Sequence, residues 1–184
     1  MPAPRLTTHE YLRMPETLGP QELVYGLLRE APAPSPGHQS AVGEIFISLR
    51  THLAQRNIGH VWVSPIDVVL DREKDLVVQP DLIVVLNARR HIVSDRVWGA
   101  PDLVVEVMSP RPRIGSLDER LAWFAEYGVR ECWLVRPAIR QIEVISFTDG
   151  QAAGRRVFER HESITSTVLP QLQETPESIL ATAW

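Results

Sequence analysis

The stretch PDLVVEVMSP, residues 101–110, predicts a buried β-strand that contains one charged residue among apolar ones. From Leu103 to Met108 every position is apolar except Glu106. Because side chains alternate between the two faces of a strand, Glu106 shares its face with Val104 and Met108, which are both apolar. An unpaired carboxylate buried there would cost several kcal/mol or would take up a proton. The strand therefore needs a partner for Glu106, which can be an arginine, a set of backbone donors or a metal ion.

A second stretch, PDLIVV at residues 80–85, begins in the same way, with a proline and an aspartate at the start of an apolar strand. Proline is tolerated there because the first residue of a strand need not donate a hydrogen bond. If the two strands are neighbours in one sheet, Asp81 and Glu106 converge at one end. Two carboxylates and a main-chain carbonyl suit Mg²⁺ or Mn²⁺, which can activate water and neutralise charge on a phosphodiester. The alternative is a structural ion pair between Glu106 and an arginine.

The rest of the chain combines helices with runs of strands. Helices are predicted at residues 9–14, 39–56 and 117–127, and a hairpin is predicted at 22–30 with its turn at Gly26. Further strands are predicted at residues 62–70, 77–86, 103–108, 131–135, 141–147 and 154–158. This order predicts an α/β or α+β fold with a mixed sheet flanked by helices. Since no repeat or linker divides the chain, we expect a single domain over residues 1–184.

Composition narrows the class of protein. The net charge of -4 argues against a static nucleic-acid binder, but it leaves room for a nuclease whose basic face is local. The single cysteine, Cys132, excludes an internal disulfide, and no apolar run approaches the length of a membrane span. The histidines and the cysteine lack zinc spacing, and no glycine-rich phosphate loop is present in the sequence. We therefore expect a cytoplasmic protein that is not associated with a membrane.

Several stretches together resemble the Uma-two family within the PD-(D/E)XK nuclease superfamily. They are IDVVLDREKDLVVQPDLIVV (66–85), PDLVVEVMSP (101–110) and DERLAWFAEYGVRECWLVRP (118–137), with LTTHEYLRMPE (6–16) and ELVYGLLREAPAPSPGHQ (22–39) fitting the usual opening of the family. The resemblance implies a restriction-endonuclease-like core over about residues 20–147, followed by C-terminal strands and a tail over 148–184. It also implies a Mg²⁺- or Mn²⁺-dependent site that hydrolyses DNA.

The resemblance also implies roles for individual residues. Asp81 is the acid of the "PD" step and Glu106 the acid of the "(D/E)XK" step, so both are implied metal ligands together with the carbonyl of Val107. Glu22, in the "E-L" step of the family, is the implied third acid. On this interpretation Glu106 is satisfied by a metal ion and not by a salt bridge.

Two further residues match family positions. Asp67 is predicted either to form hydrogen bonds within a strand or to ligate the metal. His38 is predicted either to be a residue at a helix entry or to contact a phosphate, and the helix-entry role is the one we favour.

The family pattern breaks at the third position of the "(D/E)XK" step, where Met108 replaces lysine. In the resembling family a lysine on the following helix takes over, and Arg120 holds that position here. Arginine does not act as a base, but its planar fork can bind phosphate oxygens. The alternative is a surface arginine paired with Glu119 or Asp118, which would contribute little.

Two functions therefore remain open at this point, beside a third in which the protein is structural and its acids form buried ion pairs, which leaves the paired PDL pattern unexplained. The first is a metal-dependent DNA endonuclease in which Asp81 and Glu106 are ligands, Glu22 assists and Arg120 stabilises charge. The second is a catalytically degenerate member of the fold that binds nucleic acid or protein. For either function we expect a homodimer.

Overall fold

The structure is a computed structural model that describes residues 5–15, 19–109 and 114–183. Its α-helices are α1 (Thr8–Tyr11), α2 (Pro36–Arg56), α3 (Leu117–Tyr127) and α4 (Pro176–Ile179). Its strands are β1 (Gln21–Val24), β2 (Leu27–Glu30), β3 (Gly59–Val63), β4 (Val68–Asp71), β5 (Leu76–Val78), β6 (Leu82–Leu86), β7 (Val97–Trp98), β8 (Leu103–Val107), β9 (Glu131–Arg136), β10 (Gln141–Thr148) and β11 (Gln151–Glu159). Short 3₁₀ turns follow β6 and β9, at Asn87–Ile92 and Pro137–Ile139.

The strands form two mixed sheets flanked by helices, where the sequence predicted one. The five-stranded sheet has the order β2-β1-β5-β4-β7, and the six-stranded sheet has the order β11-β10-β9-β8-β6-β3. The β4–β7 and β8–β9 pairs are parallel, and the other pairs are antiparallel. The predicted α+β class with mixed pairing and flanking helices is therefore confirmed.

The extra sheet arises because two of the predicted strands break at prolines. The predicted strand at 62–70 ends at Val63, before Pro65, and the chain resumes as β4 in the other sheet. The predicted strand at 77–86 likewise divides around Pro80 into β5 and β6, which lie in different sheets. Proline lacks the backbone N–H that a ladder requires, so each proline allows the chain to change sheets.

The six-stranded sheet is covered on both faces. Helix α2 and the segment 164–180 pack on one face, and α3 and the five-stranded sheet pack on the other. Helix α2 begins at Ser35, whose hydroxyl accepts from the N–H of His38, a type of cap that contributes about 1 kcal/mol. It ends at Asn57, which takes the left-handed conformation with a φ of 50°. Among the residues that the structure describes, no helix is long and apolar enough to cross a membrane.

The two PDL strands are neighbours, which is the condition under which Asp81 and Glu106 converge. In the antiparallel β6–β8 pair, Leu82 lies opposite Val105 and Ile83 lies opposite Val104. Continuing this register by one residue brings Asp81 opposite Glu106. Glu106 is directed toward α3 and the five-stranded sheet, where Arg120 binds both Glu106 and Glu22. Asp81 lies at the adjoining strand end, where its carboxylate accepts a hydrogen bond from the N–H of Val107.

Candidate active site

Arg120 lies at the centre of a buried cluster of charges. Its Nη1 donates to the Oε1 and Oε2 atoms of Glu22, at 2.8 and 2.7 Å. Its Nε and Nη2 donate to Oε1 of Glu106, at 3.0 and 2.6 Å. The exposed fraction is 3% for Arg120, 1% for Glu22 and 4% for Glu106. The cluster therefore joins one residue from each of α3, β1 and β8 in a site closed to bulk water.

The alternation of side chains explains why these residues meet. Glu106 shares a face of β8 with Val104, which packs in the cluster formed by α3 and the five-stranded sheet. Glu22 shares a face of β1 with Val24, which belongs to the same cluster. Helix α3 begins at its cap Ser116 and projects Arg120 toward both acids. Glu22 is held further by the backbone N–H of Gln79, which donates to its Oε1 at 2.7 Å.

The electrostatics of the cluster keep Arg120 charged. Burial acts to lower the pKa of Arg120, but the charges of Glu106 and Glu22 outweigh it and raise the pKa above its usual value. The cluster contains one cation and two carboxylates. Removing the cation from such a buried group costs stability, because Arg120 binds both carboxylates.

Asp81 lies beside this cluster at the entry to β6. Its Oδ2 accepts from the backbone N–H of Val107 at 2.7 Å and lies 3.3 Å from Nε2 of His38. The side chain of Asp81 is 20% exposed, whereas those of the Arg120 cluster are almost fully buried. Asp81 is therefore the acid that a ligand from solution reaches most easily.

A cavity of about 180 Å³ connects these residues. Glu22, Asp81, Glu106, Arg120 and His38 all line it, and the segment 31–34 contributes proline and alanine walls. A cavity of this size holds several water molecules. It has room for an ion or a phosphate group beside the carboxylates.

The geometry and donor chemistry of these residues determine whether they can hold a metal ion. The described ranges contain no cluster of three or more His, Cys, Asp or Glu side chains that could hold a metal. The sharing of one ion by Asp81, Glu106 and Glu22 stays a prediction, and in the structure Arg120 binds both oxygens of Glu22. Mg²⁺, however, is commonly bound through one or two carboxylates together with water and substrate phosphates. Asp81 and Glu106 fit such a two-carboxylate site.

Two sequence interpretations change at this point. Glu106 does form a salt bridge, with Arg120 at 2.6 Å, so the view that a metal ion replaces the ion pair is wrong. Arg120 is not a surface arginine paired with Glu119 or Asp118, because it is buried and paired with Glu22 and Glu106. Glu119 pairs with Arg29. The roles of Asp81, Glu106, Val107 and Glu22 in metal binding or catalysis stay predictions.

Asp67 forms hydrogen bonds with Gln79 and Tyr11, next to the residues of the site. Its Oδ1 accepts from Nε2 of Gln79 at 2.9 Å and from the Tyr11 hydroxyl at 3.2 Å, and its Oδ2 lies 3.1 Å from Arg96. Burial, together with the charge of Asp67, raises the pKa of Tyr11 well above its usual range. Asp67 thus fixes Gln79, whose backbone N–H holds Glu22.

Sequence reasoning missed Gln79 and one contact of His38. Gln79 directly precedes Pro80, and no charge or motif distinguishes it. His38 does lie at the entry of α2, as favoured, but its ring also contacts Asp81. This second contact joins residues that are 43 positions apart, so local sequence could not indicate it.

The fold and the paired strand ends define a restriction-endonuclease-like protein, a class that generally uses divalent metals. The chain belongs to the Uma2 family, described as "Putative restriction endonuclease", whose model matches residues 8–182. The fold is similar to a crystal structure from Anabaena variabilis ATCC 29413, described as "a putative nuclease belonging to DUF820". That similarity has a TM-score of 0.80 at 18% sequence identity and covers 96% of this chain and 98% of the other. No functionally curated protein matches the sequence.

Proposed function

We propose that the protein is a divalent-metal-dependent endonuclease that hydrolyses phosphodiester bonds in DNA. The observation that carries the proposal is the meeting of Asp81 and Glu106 at adjoining strand ends, in one cavity with the buried Arg120. Membership of the family supports it, because the family model describes nucleases of the restriction type.

In this proposal Asp81 and Glu106 hold Mg²⁺ or Mn²⁺, and the carbonyl of Val107 is the backbone ligand. When bound, the ion supplies an activated water and offsets the negative charge that develops on the phosphate. The chain's own contribution is to orient the two acids. The N–H of Val107 fixes Asp81, and the Arg120 side chain fixes Glu106.

Arg120 acts in this proposal as a fixed positive charge. Glu22 and Glu106 already accept hydrogen bonds from its Nε, Nη1 and Nη2 atoms, so Arg120 is poorly placed to clamp a phosphate with its whole fork. A preorganised cation in a site closed to water still stabilises charge that develops nearby. Glu22 serves catalysis indirectly, by holding Arg120 in place.

A second candidate is a catalytically degenerate member of the family that binds nucleic acid or protein. The observation that favours it is the arginine at position 120, because arginine stays protonated and does not act as a base. The pairing of Arg120 with two carboxylates further restricts its movement.

The experiment is a plasmid-cleavage assay with Mg²⁺ and with Mn²⁺, on the wild-type protein, Asp81→Asn and Asp102→Asn. Asp102 is the matched control, because it begins the other PDL strand and accepts from a backbone N–H of the neighbouring strand in the same way. Asp81→Asn should lower the rate by more than the ~10–100-fold that changes in outer-shell residues cause. Asp102→Asn should cleave like wild type. Equal losses in the two variants would exclude the assigned site.

Arg120→Lys separates the two candidate functions. If the wild-type protein is inert and Arg120→Lys cleaves DNA, the chain is the degenerate member. If neither protein cleaves with either metal, the endonuclease proposal fails.

Three expectations complete the proposal. They are a cytoplasmic location, a single domain over residues 1–184 and a second copy of the chain as partner.

A further inference from the structure

The outer edge of the six-stranded sheet at β3 has backbone groups that nothing in the described ranges engages. On its inner side, the carbonyl of Ile58 accepts from Asn87, and the N–H of Ser64 donates to Asp81. Because backbone groups alternate in direction along a strand, those of Gly59, Val61 and Val63 point away from β6. No hydrogen bond among the described residues uses these outward groups.

The other sheet edges are protected in ways that β3 is not. Strand β11 carries Arg155 and Arg156, β2 carries Arg29 and Glu30, and β7 has only two residues. The segment 58–64, IGHVWVS, contains no Asp, Glu, Lys or Arg. Proteins normally prevent unwanted pairing at exposed edges with charged side chains or very short strands. Strand β3 has no charged side chain of this kind and is five residues long, and its Val63 is 39% exposed.

We propose that β3 pairs with β3 of a second copy of this chain, antiparallel and centred on Val61. In this register Val61 lies opposite Val61 of the second copy, and Gly59 lies opposite its Val63. All three outward residues then fall in hydrogen-bonded positions, so each strand satisfies the open groups of the other. His60 lies opposite Trp62, and no like charges meet. The proposal concerns association and does not depend on whether the chain cleaves DNA.

The self-complementary pattern argues for a second copy and not for another protein. In a two-fold antiparallel pairing the strand must be compatible with a second copy of itself. No facing pair in the β3–β3 register brings two like charges together. Pairing β11 with itself about its centre would place Arg155 opposite Arg155, and like charges directly opposite destabilise a sheet. The two six-stranded sheets would thus join into one continuous sheet through their uncharged edges.

The size of the contact sets its strength. Stable interfaces bury about 1,200–2,000 Å² in total, and the pairing of two five-residue strands alone falls short of this. We therefore expect a dimer that dissociates in the micromolar range, which corresponds to roughly 8 kcal/mol of association free energy at about 1 μM.

The test is sedimentation equilibrium of the full chain over a range of concentrations, with paired charge variants. Val61→Lys and Val61→Glu each place like charges face to face across the two-fold axis, and each should weaken the dimer by roughly tenfold or more. An equimolar mixture of the two variants should restore association, because unlike charges then face one another. Val157→Lys is the matched control, since Val157 is exposed on the β11 edge.

A second variant covers the case in which substitution of the half-buried Val61 prevents folding. Val63→Pro removes only an outward N–H at an exposed position, and circular dichroism checks that the variant is folded. It should be monomeric wherever the wild type is dimeric. A wild-type protein that stays monomeric throughout, a Val63→Pro dimer of wild-type strength, or a dimer broken by Val157→Lys would each overturn the proposal.

Discussion

Asp81 and Asp102 occupy equivalent positions at opposite ends of the same pair of strands. Each follows a proline and precedes a strand, and each caps the last residue of the neighbouring strand. Asp81 accepts from the N–H of Val107 at 2.7 Å, and Asp102 accepts from the N–H of Leu86 at 2.8 Å. The repeated PDL motif therefore builds the same backbone cap twice.

The surroundings of the two caps differ in charge and in access. Asp102 is 1% exposed and lies near Arg130 at 3.3 Å and Arg89 at 3.8 Å, so its partners are cations. Asp81 lies beside an acid-rich cluster and lines a cavity. The same motif thus stabilises a strand end in one place and contributes to a candidate active site in the other. What differs is the neighbouring residues, and the motif alone does not reveal them.

The largest expected effect is on the free energy of unfolding, and it compares the arginine near Asp81 with an arginine near Asp102. Arg120→Ala should lower the free energy of unfolding by about 3–5 kcal/mol, because it removes the buried cation that binds the carboxylates of Glu22 and Glu106. Arg130→Ala should cost only about 0–1 kcal/mol, because the Arg130 side chain is half exposed and screened by water. Urea denaturation measures both values.

A control for this comparison is the double variant Arg120→Ala/Glu106→Gln. The double variant should recover part of the lost free energy of unfolding, because the substitution at Glu106 removes one of the two buried carboxylates. Equal losses for Arg120→Ala and Arg130→Ala would show that the two ends do not differ in electrostatics.

A smaller effect is expected from metal binding at the Asp81 end alone. Mn²⁺ at about 100 times its dissociation constant should add about 2.7 kcal/mol to the stability of the native state. Asp81→Asn should remove this gain, and Asp102→Asn should retain it. Thermal unfolding with Mn²⁺ and with EDTA measures the gain. If wild type and Asp81→Asn respond alike, the carboxylates at that end are not a metal site.

The smallest effect concerns the dependence of the free energy of unfolding on pH. His52 lies in α2, outside both strand ends, and its protonation adds to the loss of stability at acidic pH. Burial lowers the pKa of His52 below its ordinary 6.5, aided by Arg56 and opposed by Glu174. The native state keeps His52 neutral while the unfolded chain binds a proton. Its contribution to stability is therefore complete above pH 6.5 and is lost as the pH falls from 6.5 toward the native pKa.

His52→Leu should remove this loss, which is below roughly 1.4 kcal/mol for each pH unit. Urea denaturation of wild type and His52→Leu between about pH 5 and pH 7 measures the difference in slope. Identical slopes would mean that His52 does not contribute to acid sensitivity, and the remaining slope would then belong to the carboxylates.

Much of the fold could be predicted because it depends on local pattern. The 3.6-residue periodicity indicated α2 and α3, and the shared PDL motif pointed to two related strands whose pairing the sequence left open. The break before Pro65 was missed, because the apolar run on either side of it is consistent with one strand. A second sheet follows only from the change of direction at that proline and at Pro80, which a one-dimensional pattern does not contain.

The candidate site was predictable in its residues but not in its contacts. Asp81, Glu106, Glu22 and Arg120 line one cavity, and their functional roles stay predictions. That Arg120 would be buried and bind both glutamates depends on how two sheets and a helix pack, because the Arg120–Glu22 contact spans 98 positions. The sequence also did not show that Asp102 would cap β6, since nothing in its motif differs from that of Asp81.

The position of Arg120 between the two sheets also has a consequence for protein synthesis. Glu22 leaves the ribosome 98 residues before Arg120. A nascent chain that ends before α3 has the glutamates but lacks the cation that holds them together. The cluster is therefore completed only after α3 has been translated, and a truncated chain of this kind carries an incomplete site.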